Sequence, residues 1–198
     1  MPRVFSPDNL LPTIDPDTNF FNDSQINANC TQSTIDDFRI SIENSSKGNF
    51  KIVNYNIRSF FKHIDDFICI MNSCNYDPDI IVLTETWLTD KNVDHANIEG
   101  YRVTHCIRQN ANSGGVSIFY KKFSNVEELD DFTVNNGAIE TCSIKLRVEG
   151  SIIYCMGFYR PNTGTVTEFL QSLNILLHKI QNLNEIKVIL LGDFNINL

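Results

Sequence analysis

The sequence predicts an α/β domain, and two features of residues 50–198 support this prediction. Short apolar runs that suit buried strands recur in this part of the chain, and the clearest are D-I-I-V-L-T at 79–84 and K-V-I-L-L at 187–191. Between strands stand two stretches, about 59–73 and 165–180, whose apolar residues recur at helical spacing. Strands that alternate with amphipathic helices are typical of the α/β class.

The first strand–helix–strand unit spans residues 51–84. Residues 51–57 alternate between apolar and polar, Ser59 is a predicted N-cap of a helix that ends near Ser73, and residues 80–84 form the next strand. Two strands joined by one helix run parallel, so Asn56 and Glu85, at the two strand ends, should emerge at the same end of the sheet. The predicted apolar stripe of the helix consists of Ile64, Phe67, Ile68 and Met71.

The second half of the chain continues with strands and one long helix. Strands are predicted near 100–104, at 116–120, at 138–148 and at 151–158, and Glu149-Gly150 is predicted to join the last two as a hairpin. In the strand at 138–148, Cys142, Ile144, Leu146 and Val148 are predicted to face inward, and Thr141, Ser143, Lys145 and Arg147 outward. Thr165-x-x-Glu168 is a capping box that should open the helix. Residues 187–191 complete the set as a buried strand.

Composition restricts the class of protein. The 198 residues carry 16 basic and 24 acidic side chains, a net charge of −8, which is unfavourable for binding nucleic acid. No apolar run is long enough to span a membrane, and the N-terminus lacks the apolar core of a signal peptide, so we expect an intracellular protein, nuclear or cytoplasmic and not secreted. Six cysteines without a C-x-x-C pair predict reduced thiols.

The chain divides into two parts by composition. Residues 1–48 are rich in Asn, Asp, Ser and Thr and contain four of the six prolines, which predicts a disordered or loosely packed tail. Within it, residues 35–42 are the one stretch that suits a short helix or strand against the domain. Residues 49–198 are predicted to form the folded, partial domain.

Polar side chains stand at the ends of four predicted strands. They are Asn56, Glu85, Tyr159 and the pair Asp193 and Asn195. Carboxylate and amide oxygens are the ligands that Mg²⁺ prefers, and a second carboxylate can orient or deprotonate a water molecule. Amide and phenol groups can donate to phosphate oxygens as charge develops. Taken singly, each residue also suits a structural role, in a loop, in the core or in a plain turn.

The wording of five segments resembles a known family, the endonuclease/exonuclease/phosphatase superfamily. The segments are N-Y-N-I-R-S at 54–59, L-T-E-T-W-L at 83–88, S-G-G-V at 113–116, Y-R-P-N at 159–162 and G-D-F-N at 192–195. The resemblance covers about residues 50–198 and is greatest to the endonuclease domain of non-LTR (LINE-like) retrotransposons. It implies a two-sheet α/β sandwich of the DNase I-like type and Mg²⁺-dependent cleavage of a phosphodiester, with DNA as the partner.

The resemblance also assigns roles to residues. Glu85 would be the metal ligand, helped by Asn56, and Tyr159 would contact the scissile phosphate. Asp193 would align or activate the attacking water, and Asn195 would support both. Arg58 stands where members that repair apurinic sites often carry an Asp, which favours the retrotransposon branch.

The sequence departs from the family pattern in one respect. A further strand-end Asp and a closing Ser-Asp-His, present in the family, have no counterpart in these 198 residues. We therefore expect a C-terminally truncated copy with an incomplete sandwich and weak or no nicking of DNA. Two alternatives remain open: a phosphoesterase of the same fold that acts on a small phosphoester, and a non-catalytic remnant or binding module.

Overall fold

A computed structural model describes most of residues 34–195 of the chain. The described ranges are 34–43, 50–108, 113–122, 125–181 and 187–195. Most of the predicted tail, including its boundary near 45–48, lies outside these ranges, so the division at residue 48 stays a prediction. The elements are α1 Ile35–Glu43, β1 Ile52–Asn56, α2 Phe60–Ser73, β2 Ile80–Thr84, β3 Tyr101–Cys106, β4 Val116–Lys121, β5 Val126–Glu128, β6 Val134–Asn135, β7 Glu140–Val148, β8 Ser151–Tyr159, α3 Val166–Gln181 and β9 Lys187–Asp193.

The strands form two mixed sheets. The first has the order β1-β2-β4-β3, and the second has the order β5-β7-β8-β9, with β6 paired to β7. Each sheet contains one parallel pair, β1 with β2 and β8 with β9, and each parallel pair is joined by a helix. The predicted parallel arrangement of the first unit is confirmed, and so is the two-sheet sandwich.

The core consists of three apolar layers. Between the sheets, side chains of β2 and β4 pack against those of β7 and β8, and the approach is close enough that a Cβ at Gly157 would lie 2.8 Å from Val116 and 3.0 Å from Val82. Helix α2 covers the outer face of the first sheet through its predicted stripe, and α3 covers the outer face of the second. Burial of these helix stripes stabilises the sandwich from both sides.

Helix α1 lies in the stretch where one short packed element was expected. Phe38 places its ring 5.5 Å from that of Tyr76, edge to face, and packs beside α2. The helix begins with a capping arrangement in which Thr34 and Asp37 exchange backbone-to-side-chain bonds of 2.8 and 3.1 Å.

Two local expectations from the sequence are wrong, and a third, the N-cap of α2, is confirmed in position but has no side-chain capping bond. Ser59 stands at the N-cap of α2, but its φ is 95° and its side chain makes no capping bond. Thr141 and Ser143, expected to face outward, are buried because residues 129–135 cover that face of β7, and Thr141 Oγ1 donates to the Phe132 carbonyl at 2.6 Å. Residues 187–191 lie in an edge strand that is half-exposed, because β9 pairs only with β8 among the described strands.

His105 on β3 makes the stability of this fold depend on pH. Its Nδ1 lies 2.8 Å from Ser117 Oγ, and burial lowers the pKa of the imidazole from 6.5 to about 4, with Asp94 acting in the opposite direction. The unfolded chain therefore takes up a proton at a higher pH than the folded one. Stability from the neutral ring is fully present above pH 6.5 and is lost as the pH falls towards 4.

We expect His105→Gln to reduce the acid sensitivity of the fold. Urea unfolding of the natural chain between pH 7 and 4 should show a loss of up to about 3 kcal/mol attributable to this ring, and the variant should lose correspondingly less. His178→Gln is the matched control, because His178 is exposed on α3 and its Nδ1 lies 3.2 Å from Gln181 Oε1 on the same helix. Equal acid sensitivity in the two variants would contradict this assignment.

Candidate active site

The two parallel strand pairs end at the same rim of the sandwich. In the first sheet Asn56 is paired in register with Thr84, so β1 and β2 end together and Glu85 follows directly. In the second sheet Tyr159 is paired in register with Asp193, so β8 and β9 also end together. The polar residues at these ends are thus supplied by both layers of the fold.

Four of the predicted site residues form one hydrogen-bonded cluster at this rim. Asn56 Nδ2 donates to Asp193 Oδ2 at 2.7 Å and to Glu85 Oε1 at 3.4 Å. The Tyr159 hydroxyl donates to the same Glu85 oxygen at 3.2 Å. The Asn56 amide therefore joins the two sheets and holds both carboxylates towards one point.

Asn195, the fifth predicted residue, lies one bond further away. Its backbone N–H donates to Asp193 Oδ1 at 3.1 Å, and its side-chain amide donates to the Arg160 carbonyl at 2.7 Å. The backbone of Asn195 has a φ of 47°, the left-handed region, which Asn adopts more readily than most residues. In the described structure Asn195 thus orients Asp193 and does not contact Glu85.

Glu85 begins a loop with an unusual backbone. Glu85 and Trp87 have φ values of 53° and 55°, in the left-handed region. Residues with a Cβ atom adopt this conformation at a cost in free energy, so the surrounding structure must impose it here. On one side the carbonyls of Glu85 and Thr86 accept bonds of 2.8 and 2.9 Å from the start of α2. On the other side the amides of Thr86 and Trp87 donate to the Gly114–Gly115 turn at 3.3 and 2.9 Å.

Trp87 contacts the site, although its role was not predicted from the sequence. Its indole Nε1 donates to Glu85 Oε2 at 3.1 Å, so both oxygens of that carboxylate are hydrogen-bonded. Lys62 Nζ lies 5.7 Å from the centre of the Trp87 ring, at cation–π distance. The available signal was the T-E-T-W-L wording itself, which places Trp87 two residues beyond the acid.

Arg160 is the second residue whose role was not predicted. Its side chain is only 2% exposed, and its guanidinium donates to the carbonyls of Asn195 at 2.7 Å and Gly164 at 2.9 Å. Its backbone N–H donates to the Asp193 carbonyl at 2.9 Å. Arg160 therefore ties the segment that follows β9 to the segment that follows β8. A charged residue directly after a buried strand was the available sequence signal.

The Tyr159 hydroxyl keeps its proton in this site and is therefore available as a hydrogen-bond donor. Burial raises the pKa of Tyr159 well above its ordinary value of 10, and the negative charge of Glu85 and the hydrogen bond to it act in the same direction. The phenol stays protonated at neutral pH, so it can donate a hydrogen bond to an anionic oxygen.

The cluster suits a hard divalent cation. Asn56 Oδ1 is buried and accepts no hydrogen bond from the described residues, while Asn56 Nδ2 is engaged with both carboxylates. That leaves an unpaired amide oxygen beside the oxygens of Glu85 and Asp193, and one or two carboxylates plus water are what Mg²⁺ takes. Among the described residues no group of three or more His, Cys, Asp or Glu side chains is placed to hold a metal, so the cluster has only two carboxylates and an amide oxygen to offer a cation.

The fold and the site define a class of protein. The two-sheet sandwich is of the DNase I-like type, and the Endonuclease/Exonuclease/phosphatase family matches residues 53–198 of this sequence. The chain belongs to the endonuclease/exonuclease/phosphatase family. Enzymes of this family are generally divalent-metal dependent. No curated protein matches the chain significantly.

Solved structures share the fold at low sequence identity. The endonuclease domain of TRAS1, a telomere-specific non-LTR retrotransposon, is 14% identical with a TM-score of 0.57, over 74% of this chain and 60% of that one. D. rerio TDP2 complexed with a single-strand DNA product is 18% identical, with a TM-score of 0.55 over 75% and 62%. The AP endonuclease LMAP from Leishmania major is 17% identical, with a TM-score of 0.54 over 73% and 54%. This chain thus spans 54% to 62% of the length of these three structures.

We expect Arg160→Met to destabilise the domain by roughly 2–4 kcal/mol, because two backbone carbonyls lose charged donors in a buried position. Thermal or urea unfolding of the two proteins measures the difference. Arg147→Met is the matched control, since Arg147 is exposed on β7 and also donates to a carbonyl, that of Gly150 at 3.4 Å. Similar losses in both variants would show that the buried bonds of Arg160 are not important for stability.

Proposed function

We propose that this chain is a Mg²⁺-dependent endonuclease domain that nicks DNA, of the kind found in non-LTR retrotransposons. The observation that carries the proposal is the bond between Asn56 and Asp193, because it brings the acids of the two sheets to one point beside an unpaired amide oxygen. Such a cluster can bind a hard cation on one side and a phosphate on the other.

Each residue of the cluster has one role in the proposal. Glu85 and Asn56 hold Mg²⁺, which neutralises charge on the phosphate when it is bound. Tyr159 keeps its proton and donates a hydrogen bond from its hydroxyl to a phosphate oxygen, where negative charge increases in the transition state. Asp193 accepts a hydrogen bond from the attacking water and orients it. Asn195 fixes Asp193 through its backbone N–H.

DNA is the substrate that the motif wording and the structural neighbours support. The wording around Glu85 and Asp193 is that of retrotransposon endonucleases, and TRAS1 is a structural neighbour of that kind. Arg58 and Lys62 are exposed beside the site, next to Asn56 and Trp87, and can contact phosphates. Because the chain has a net charge of −8, its binding of DNA should depend on these few local contacts and should be weak and sensitive to salt.

Location is part of the same proposal. None of the helices in the described ranges is long and apolar enough to cross a membrane. We propose a nuclear or cytoplasmic location, because nucleic acid is accessible to the domain in both compartments.

The rate of nicking is expected to be low for these 198 residues alone. They contain no counterpart of the family's closing Ser-Asp-His, whose histidine would stabilise the phosphate in the transition state. Loss of one preorganised donor costs on the order of 10²–10³ in rate in comparable sites. Appending that segment from a relative that contains it should raise the rate by a comparable factor.

We expect Glu85→Gln to abolish Mg²⁺-dependent nicking of supercoiled plasmid, both in the chain itself and in the extended fusion, because the amide cannot supply the negative charge that holds the cation. The measurement is conversion of supercoiled to open-circular DNA with and without EDTA. Glu128→Gln is the matched control: Glu128 also accepts a tyrosine hydroxyl, from Tyr120 at 2.8 Å, but away from the site.

The outcomes separate the proposal from its alternatives. Nicking that Glu85→Gln leaves unchanged would contradict the assigned site. Phosphate release from a soluble phosphoester without nicking would favour the small-substrate alternative. If both the chain and the extended fusion bind DNA and neither cleaves it, a non-catalytic module is favoured.

A further inference from the structure

A buried carboxylate that the proposed chemistry does not use lies behind the Glu85 loop. Glu140, the first residue of β7, has a fully buried side chain. Its Oε1 lies 2.6 Å from Nε of Arg108, whose side chain is 18% exposed. Burial raises the pKa of Glu140, whereas the hydrogen bond from Gly115 and the charge of Arg108 lower it. An ion pair this deeply placed calls for an explanation beyond packing, because apolar replacements of such pairs are often neutral or stabilising.

The Glu140 carboxylate is bonded to the glycine turn that holds the Glu85 loop. Its Oε2 accepts a hydrogen bond of 2.5 Å from the Gly115 N–H. At Gly114 the space that a Cβ would fill is occupied by the same carboxylate, at 2.8 and 2.9 Å from its two oxygens. Gly114 and Gly115 have φ values of 80° and 89°, so the turn needs glycine for its backbone as well as for this contact.

From the turn the chain of contacts continues to Glu85. The Gly114 and Gly115 carbonyls accept the amides of Trp87 and Thr86, and the Trp87 indole donates to Glu85 Oε2. Four bonded steps therefore lead from Arg108 to the proposed metal ligand: the ion pair, the turn amide, the loop amides and the indole. Glu85 and Trp87 have unfavourable backbone conformations, so the loop depends on this external support.

We propose that Glu140, paired with Arg108, is a positioning residue for Glu85 and acts through the Gly114–Gly115 turn and Trp87. This inference rests on the proposed function, because Glu85 is taken as the cation ligand. Glu140 itself touches neither the cation nor the substrate. Partners that orient a ligand in this way typically affect metal affinity by roughly 10–100-fold when they are removed.

Trp87 is a direct reporter of this arrangement, because it is the only tryptophan in the 198 residues. Its indole is bonded to Glu85, so its emission should respond when Mg²⁺ is added and should be quenched by acrylamide when the loop loosens. Both readouts are independent of cleavage. They can be followed in the full chain without DNA.

The sharpest test uses two glycines with nearly the same backbone. Gly114 and Gly137 have φ values of 80° and 82°, but a Cβ at Gly137 meets nothing within 4 Å. Alanine therefore adds similar backbone strain at both positions and displaces the Glu140 carboxylate only at Gly114. We expect Gly114→Ala to increase acrylamide quenching of Trp87 and to raise the midpoint of the Mg²⁺ titration roughly 10–100-fold. Gly137→Ala should show the same quenching and the same Mg²⁺ midpoint as the natural chain.

A second pair of variants covers the case in which Gly114→Ala does not fold. Glu140→Gln removes the charge that pairs with Arg108, and Glu127→Gln removes an exposed charge that pairs with Lys145 at 2.7 Å. Only the first should change Trp87 quenching and the Mg²⁺ midpoint, while circular dichroism reports a folded chain in both.

The outcomes distinguish this inference from the proposed function. If Trp87 is quenched equally in a folded Glu140→Gln or Gly114→Ala variant and in its control, the positioning role is wrong, whatever the nuclease result. If quenching rises as expected but neither the natural chain nor the extended fusion responds to Mg²⁺ or nicks DNA, the positioning of the loop is upheld and the proposed function is wrong.

Discussion

The site depends on one constraint, the registration of the two sheets at a single rim. Each sheet contributes a parallel pair of strands that ends in polar residues, and the sheets pack closely enough at Gly157 to exclude any side chain there. A small sliding of one sheet over the other would separate Asn56 from Asp193 and break the 2.7 Å bond between them. The apolar core between the sheets thus acts as the scaffold of the site, since close-packed interiors resist such movement.

The Glu85 loop is held in a strained conformation by the surrounding structure. Two of its residues have positive φ, and backbone bonds fix it from the start of α2 on one side and from the glycine turn on the other. A short loop fixed from both sides presents its carboxylate in one orientation, which reduces the reorganisation needed when a cation binds. Buried Glu140 belongs to this support, although β7 lies in the opposite sheet.

Much of this arrangement could be predicted from the sequence, because it follows from periodicity and chain order. The strand–helix–strand pattern at 51–84 implied that Asn56 and Glu85 would emerge together, and the structure confirms their proximity. The contacts of Trp87 and Arg160 could not be predicted in this way, because they depend on loop conformations that no periodic pattern encodes. The positive φ of Ser59 and its missing side-chain cap have the same origin, since its backbone N–H donates to the Glu85 carbonyl. The exposure of β9 depends on which strands lie beside it, which local sequence does not specify.

The proposed function requires that a divalent cation bind where the ends of the two parallel strand pairs meet. The most direct measurement is a crystal structure of the chain soaked in Mn²⁺, with the ion located by its anomalous scattering. A peak within coordination distance of Glu85 and of Asn56 Oδ1, on the side that Asp193 faces, is the expected result. Absence of a peak at this rim, with Mn²⁺ bound instead at a surface acid such as Asp77, would contradict the assignment of the cluster as the metal site.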